Sequence, residues 1–92
     1  MDGYIKLYWW VIEDDNLSMN EKIAYSIILH LSDKDGYCTC GDDYLSQCLH
    51  VQKRRMRVIM HDLEEKGYLI RDIHKGKRKI YPVEREYIHS HN

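Results

Sequence analysis

Residues 44–83, YLSQCLHVQKRRMRVIMHDLEEKGYLIRDIHKGKRKIYPV, decide the fold of this chain. They read as a short helix, a turn at 50–52, a basic helix from 53 to 66, and Gly67 as the stop signal of that helix. Two β-prone segments follow, 68–73 and 78–83, joined by a basic turn that contains glycine. The basic helix has apolar residues within about 100° of arc, which predicts one buried face: Met56, Ile59, Met60 and Leu63.

Upstream of this stretch, Ser18-Met19-Asn20-Glu21 is a capping box, so it predicts a helix that begins there. Apolar residues at helical spacing continue that helix to about Leu31, and a turn follows at 33–36. Gly41 is a usable N-cap for the next helix. Residues 4–12 are rich in Tyr, Trp, Ile and Val, and this composition predicts a short extended segment.

These elements together predict an α+β domain, a winged helix-turn-helix with three helices and a small antiparallel β-sheet as the wing. The domain is expected to span residues 1–83, and residues 84–92 are expected to form a flexible tail. With 92 residues the chain can bury one modest core.

The net charge of −1 conceals a strong asymmetry along the chain. Residues 1–49 hold three Lys/Arg and nine Asp/Glu, a net charge of −6, whereas residues 50–83 hold ten and four, a net charge of +6. An acidic body that carries a basic helix and a basic hairpin presents a one-sided field to a polyanion. Charge runs also simply solvate surfaces, but four cations within one and a half turns repel each other. That repulsion favours a nucleic-acid partner.

In a helix-turn-helix the second helix lies in the major groove of duplex DNA, and a wing contacts the backbone. The sequence therefore predicts double-stranded DNA as the partner. A charged wing can equally serve to block strand pairing at a sheet edge. The expected DNA contacts come from the basic helix and the wing: Gln52, Lys53, Arg54, Arg55, Arg57, Val58, His61, Lys75, Lys77, Arg78 and Lys79.

The sequence gives only weak signals for a metal site or a catalytic site. Cys38, Cys40, Cys48 and His50 could form a metal set, but their spacing does not match common zinc modules, so no metal and no cofactor is predicted. The His-x-His of residues 89–91 lies in the expected tail. No phosphate loop, nucleophile elbow or zinc-protease motif is present, so an enzyme is not expected.

The chain resembles the winged-helix domain of plasmid and phage replication initiators and related primosome-type proteins. The resemblance covers about residues 4–83, and the matching positions are spread over the domain: residues 4–12, Leu17-Ser18, Lys22, Tyr25, Asp35-Gly36, Cys38, Leu45, Val51, Met56, 63–69 and 78–81. The resemblance implies a role in replication initiation, although many transcription regulators share the second half of this motif pattern. This chain departs from the family pattern at Gly41, His50 and Gln52, where serine, glycine and serine are usual.

Three further expectations concern location and partners. Without an export signal or an apolar run of about 18 residues, a cytoplasmic protein that makes no membrane contact is expected. Tyr4, Tyr8, Trp9 and Trp10 are either core residues or an apolar patch for a homodimer. The competing function class is a winged helix that docks an acidic protein or assembles a complex, and a metal-dependent sensor is a third.

Overall fold

The computed structural model describes residues 3–84, and the expected tail from residue 85 onward lies outside them. The described residues form four helices and one two-stranded antiparallel sheet. Their bounds in chain order are α1 Trp9–Ile12, α2 Met19–Leu31, α3 Asp42–Leu49, α4 Lys53–Glu65, β1 Leu69–His74 and β2 Lys77–Pro82. This is the predicted α+β winged helix-turn-helix, with one short helix in addition.

The extra helix corrects the prediction for residues 4–12. Residues 4–8 form no strand, and α1 makes a single turn in which the amide of Ile12 donates to the carbonyl of Tyr8 at 3.0 Å. Trp10 and Val11 are both buried. In a strand these neighbours would point to opposite faces, whereas a helical turn places them about 100° apart and lets both enter the core. The β-prone composition was therefore a misleading signal.

The predicted capping box of α2 is present. The Ser18 hydroxyl accepts from the amide of Glu21 at 3.2 Å, and the Glu21 carboxylate accepts from the amide of Ser18 at 2.8 Å. Glu21 is buried, and Lys66 at the end of α4 donates to its carboxylate at 3.0 Å. The start of α2 is thus bonded to the end of α4 as well as capped.

The core lies between the helices and the inner face of the sheet. Its side chains include the predicted stripe of α4 and residues of every other element: Trp10, Val11, Leu17, Ala24, Tyr25, Ile27, Ile28, Cys38, Leu45, Met56, Ile59, Met60, Leu63, Tyr68, Leu69 and Ile80. Aromatic rings link its layers, since Trp10 meets Tyr25 edge-on at 5.8 Å and Tyr25 meets Tyr68 at 5.4 Å. The hydroxyl of Tyr25 donates to the carbonyl of Val83 at 2.5 Å, so the polar tip of this buried ring is satisfied.

The wing is a hairpin whose turn is set by two residues. Lys75 and Gly76 both have positive φ, 53° and 76°, which is the type I′ pattern that matches the twist of a two-residue hairpin loop. His74 pairs with Lys77 beside the turn, and Leu69 pairs with Pro82 at the base. Cys38 adds a single antiparallel bridge to Ile80, which attaches the segment between α2 and α3 to the wing at one residue.

Within residues 3–84, no helix has the length and apolar character needed to cross a bilayer.

The helix-turn-helix turn stores backbone strain at His50, and this gives a first prediction. His50 ends α3 in the left-handed region, with φ 56° and ψ 43°, where the Cβ of an L-residue crowds the backbone. We expect His50→Gly to be more stable than His50→Ala by about 1 kcal/mol, because only glycine lacks that crowding. Urea unfolding of the two variants, which remove the same imidazole, measures the difference. An alanine variant at least as stable as the glycine variant would contradict it.

Candidate nucleic-acid interface

The helix-turn-helix places α4 with one face in the core and the other in solvent. Met56, Ile59, Met60 and Leu63 are buried as predicted. The amide of Val51 donates to the carbonyl of Ser46 at 3.0 Å, which closes the turn between α3 and α4. All seven α4 residues predicted to contact DNA are exposed, each on the side away from the core: Gln52, Lys53, Arg54, Arg55, Arg57, Val58 and His61.

The start of α4 concentrates positive potential. Lys53, Arg54 and Arg55 occupy its first turn, which holds no acidic residue, and the Gln52 side chain caps none of the free amides. Cations at this end of a helix are unfavourable, because the helix dipole already places partial positive charge there. Free amides and cations together form a place where an anion such as phosphate is stabilised.

Most of the candidate cations have no acidic partner. Within residues 3–84, no carboxylate lies within ion-pair distance of six of them: Arg54, Arg55, Arg57, Lys75, Lys77 and Lys79. Lys53 pairs with Asp43 at 2.7 Å, but both side chains are more than half exposed, so solvent screens this pair. His61 lies 3.7 Å from Glu65 in an equally exposed pair.

The wing divides its cations between two faces. Lys77 and Lys79 lie on the outer face of the hairpin, since each pairs across the strands with a residue of that face, His74 and Asp72. The ammonium of Lys79 also lies over the ring of Tyr37, 4.6 Å from its centroid. Lys75 occupies the turn and is exposed. The outer face and the tip therefore carry the wing cations that solvent can reach.

Arg78 has a different environment from the other predicted contacts. It lies on the inner face of the wing, and its side chain is 21% exposed. Its guanidinium donates to the carbonyl of Cys40 at 3.0 Å and to the carboxylate of Asp42 at 2.9 Å. The structure thus gives Arg78 an intramolecular contact that joins the wing to the first turn of α3. Sequence reasoning could not separate it from Lys77 and Lys79, because all three belong to one basic run.

A second attachment of the wing, between Glu64 and Arg71, was not singled out from the sequence. The guanidinium of Arg71 on β1 donates to the Glu64 carboxylate on α4 at 2.7 Å, and the amide of Arg71 donates to it at 3.2 Å. These donors hold the pKa of Glu64 below its ordinary value of 4.5, with the Arg71 side chain as the largest cause. The sequence signal for this contact was the seven-residue spacing between two opposite charges, Glu64 near the end of α4 and Arg71 on the strand that follows.

The three cysteines and His50 do not form a cluster. Cys38 and Cys40 lie close together with their sulfur atoms 3.4 Å apart. Among residues 3–84, no group of three or more His, Cys, Asp or Glu side chains is arranged to hold a metal ion. The predicted His-x-His motif at 89–91 lies outside the described residues.

This arrangement of α3, turn, α4 and hairpin defines a winged helix-turn-helix protein, and solved structures share it. One described as the N-terminal domain of a DNA-binding protein has a TM-score of 0.67 at 23% identity, over 90% of this chain and 76% of that chain. One of a Rep–DNA complex has a TM-score of 0.66 at 22% identity, over 90% and 76%. One of an MDR initiator has a TM-score of 0.65 at 21% identity, over 99% and 91%.

At these identities the likeness establishes the fold, and it agrees with the winged helix expected from the resemblance to replication initiators. No protein-family model matches the sequence, and the search of curated proteins found no match either.

The Glu64–Arg71 contact predicts a pH-dependent stability. The pKa of Glu64 is lowered in the folded state, so its contribution is fully present above the unfolded value near 4.5 and is lost as pH falls through the folded value. We expect Glu64→Gln to be less stable than the wild type at pH 7, by under about 1 kcal/mol because the carboxylate is 37% exposed.

Urea unfolding at pH 7, 5 and 3.5 measures this difference, which should shrink at the lowest pH because protonated glutamate and glutamine are nearly equivalent. Glu65→Gln is the control, since that neighbouring side chain is 68% exposed and its ion pair among residues 3–84 is with the exposed His61. A constant difference at all three pH values would refute the role of the ionised carboxylate.

Proposed function

We propose that this protein binds double-stranded DNA through its winged helix, in replication initiation or transcription regulation. The observation that carries the proposal is a set of six exposed cations that have no acidic partner among residues 3–84, three on α4 and three on the wing. Their mutual repulsion is relieved by a polyanion, and the two elements that hold them are those with which winged helices contact a duplex.

Each element has a separate role in this proposal. The exposed face of α4 enters the major groove, where Arg54 and Arg57 are long enough to reach guanine edges or phosphates and Val58 offers an apolar contact to a thymine methyl group. The wing tip, with Lys75 and Lys77, contacts phosphates and contributes little to the recognition of the base sequence. Arg78 positions the wing through Asp42. The role is binding, in the cytoplasm, and no catalytic step is part of it.

Replication initiation is preferred as the setting on two grounds. The sequence resembles plasmid and phage initiators over about residues 4–83. Structures of a Rep–DNA complex and of an MDR initiator share the fold. The partner in either setting is a duplex, so the binding experiment does not depend on the choice.

The proposal predicts a steep salt dependence of duplex binding. About six phosphate contacts give a log–log slope of affinity against salt near −5. Arg54→Ala and Arg57→Ala should each weaken binding and flatten the slope by about one, because each removes one contact. Their melting temperatures should stay close to the wild-type value, because both side chains are exposed and without acidic partners among the described residues.

Fluorescence anisotropy with a generic duplex provides the affinities. Lys6→Ala is the matched control, because Lys6 is an exposed cation beside α2 in the acidic half of the chain. It should leave affinity and slope unchanged. Affinity that does not respond to salt, or an equal effect of Lys6→Ala, would rule out the proposed interface.

We also propose that a second copy of the chain covers the N-terminal segment. Trp10 is a core residue, but its neighbour Trp9 is 75% exposed and Tyr4 is 69% exposed. Leu7 and Met19 are exposed as well, at 49% and 65%. Large exposed aromatic groups of this kind are typical of subunit interfaces, and a twofold dimer would present two recognition helices to a duplex.

The dimer predicts a solution mass of twice 11.1 kDa by light scattering after size exclusion. Trp9→Glu should halve that mass, because a carboxylate cannot be buried at the interface without a partner. Ile73→Glu is the control, since Ile73 is 71% exposed but lies at the wing tip. A single-chain mass for the wild type at all concentrations would exclude this dimer.

A further inference from the structure

Cys38 and Cys40 form a pair of thiols in the segment between α2 and α3. They are two residues apart in extended chain, so their side chains leave the same face, and the sulfur atoms lie 3.4 Å apart in a hydrogen bond. Both are free thiols, as is Cys48. The distance is close to that from which a disulfide forms with a small movement of the two side chains.

Small molecules can reach the pair. An open depression beside it is lined by both cysteines together with Tyr37, Thr39 and Tyr44. Cys38 itself is 5% exposed and Cys40 is half-buried. A small neutral oxidant can enter such a depression.

The surroundings of the pair favour one thiolate. The hydrogen bond from the Cys40 thiol is the largest cause that lowers the pKa of Cys38, to about 6, with smaller contributions from Ser32 and Arg78, whereas burial opposes the shift. The pKa of Cys40 is raised, because its proton is held in the same hydrogen bond. The hydrogen bond therefore favours ionisation of Cys38 over ionisation of Cys40, and the thiolate is the form of cysteine that peroxide oxidises.

We propose that Cys38 and Cys40 are a site of oxidation by hydrogen peroxide, and that the disulfide they form loosens the wing from α3. The Cys38 thiolate attacks one peroxide oxygen, the O–O bond breaks, and hydroxide leaves, which gives a sulfenic acid. The Cys40 sulfur then attacks the Cys38 sulfur, the S–O bond breaks, and water leaves with the Cys40 proton. The hydroxide takes up the proton that Cys38 lost on ionisation, so that overall two thiols are oxidised, one peroxide is reduced, and two waters are produced.

The segment of this pair is also where the wing is attached to the body. The amide of Cys38 donates to the carbonyl of Ile80 at 2.9 Å, and the amide of Ile80 donates back at 2.8 Å. Arg78 donates to the carbonyl of Cys40 at 3.0 Å. Any change in the backbone between residues 38 and 40 therefore acts on both attachments of β2.

Disulfide formation acts on the backbone of this segment. Residues two apart in extended chain have Cα atoms roughly 6.6 Å apart, near the upper end of the range of about 4.4–6.8 Å found in disulfides, whose preferred separation is about 5.5–6 Å. The side chains can close the bond, and the preferred separation then draws Cys38 and Cys40 together. We expect this contraction to disturb the bridge from Cys38 to Ile80 and the bond from Arg78 to Cys40.

The experiment treats the full chain with hydrogen peroxide and locates the product by mass spectrometry. Cleavage before aspartate releases residues 35–41, which contain Cys38 and Cys40 but not Cys48. This peptide should lose two hydrogen atoms in the wild type and in Cys48→Ser, the matched control, and should not do so in Cys40→Ser. If Cys40→Ser fails to fold, Cys40→Ala replaces it. The loss of two hydrogen atoms in the wild-type peptide tests the site without any variant.

Hydrogen exchange measures the consequence for the wing without DNA. The amide of Ile80 should exchange about tenfold faster in the oxidised protein, because its bond to Cys38 opens more often. A reductant should restore the slow exchange. Unchanged exchange at Ile80 in fully oxidised protein would overturn the loosening of the wing, and absence of the two-hydrogen loss, or pairing with Cys48 instead, would overturn the site.

The effect on DNA rests on the proposed function. Oxidised protein should bind the duplex about tenfold more weakly and recover on reduction, since the wing no longer holds its phosphate contacts. Equal affinity of the two forms would overturn this regulation. If the reduced protein binds no duplex, the proposed function fails, whereas the mass and exchange measurements still decide the oxidation site.

Discussion

The relative placement of α4 and the wing depends on how the chain leaves the helix at Gly67. Its φ of 84° allows two capping bonds, from the amide of Gly67 to Glu64 at 3.0 Å and from the amide of Tyr68 to Leu63 at 2.9 Å. This is a Schellman end, and Leu63 and Tyr68 supply the apolar contact that accompanies it. Because both side chains are buried, the turn is anchored in the core. The basic helix and the basic hairpin therefore start from one fixed point.

The cations of residues 50–83 divide into two groups by their partners. Lys66, Arg71 and Arg78 are bonded to acidic groups of the body, and these bonds fix α4 and both strands of the wing. Lys53 pairs with Asp43, and the other Lys and Arg residues of the α4 surface and the wing tip have no acidic partner among residues 3–84. Segregation of this kind concentrates positive potential on the elements that a winged helix turns toward a duplex.

Helix caps and periodicity predicted most of the fold, because those signals are local. The Ser18 capping box, the stripe on α4 and the Gly67 stop each act within a few residues of the chain. The prediction for residues 4–12 was wrong because the structure there is set by tertiary packing. The one-turn helix depends on space in the core for both Trp10 and Val11. Arg78 illustrates the same limit at the site. Its sequence context matches that of Lys77. Only the tertiary position of Asp42 shows that Arg78 is bonded within the protein, whereas Lys77 is exposed.

The wing is held at its base and loose at its tip, and this gradient suits its proposed task. Leu69 and Ile80 are buried, Arg71 bonds to Glu64 of the body, and Arg78 bonds to Asp42 one residue pair before the turn. Ile73, which pairs with Arg78, is already 71% exposed, and every residue from there to Lys77 lies in solvent. Elements with few buried contacts open at low free energy, so the tip can follow the path of a phosphate backbone while the base keeps its position. In the proposed function these attachments position the tip relative to the duplex, and this is the reason for expecting that the bonds of Cys38 and Cys40 to β2 influence binding.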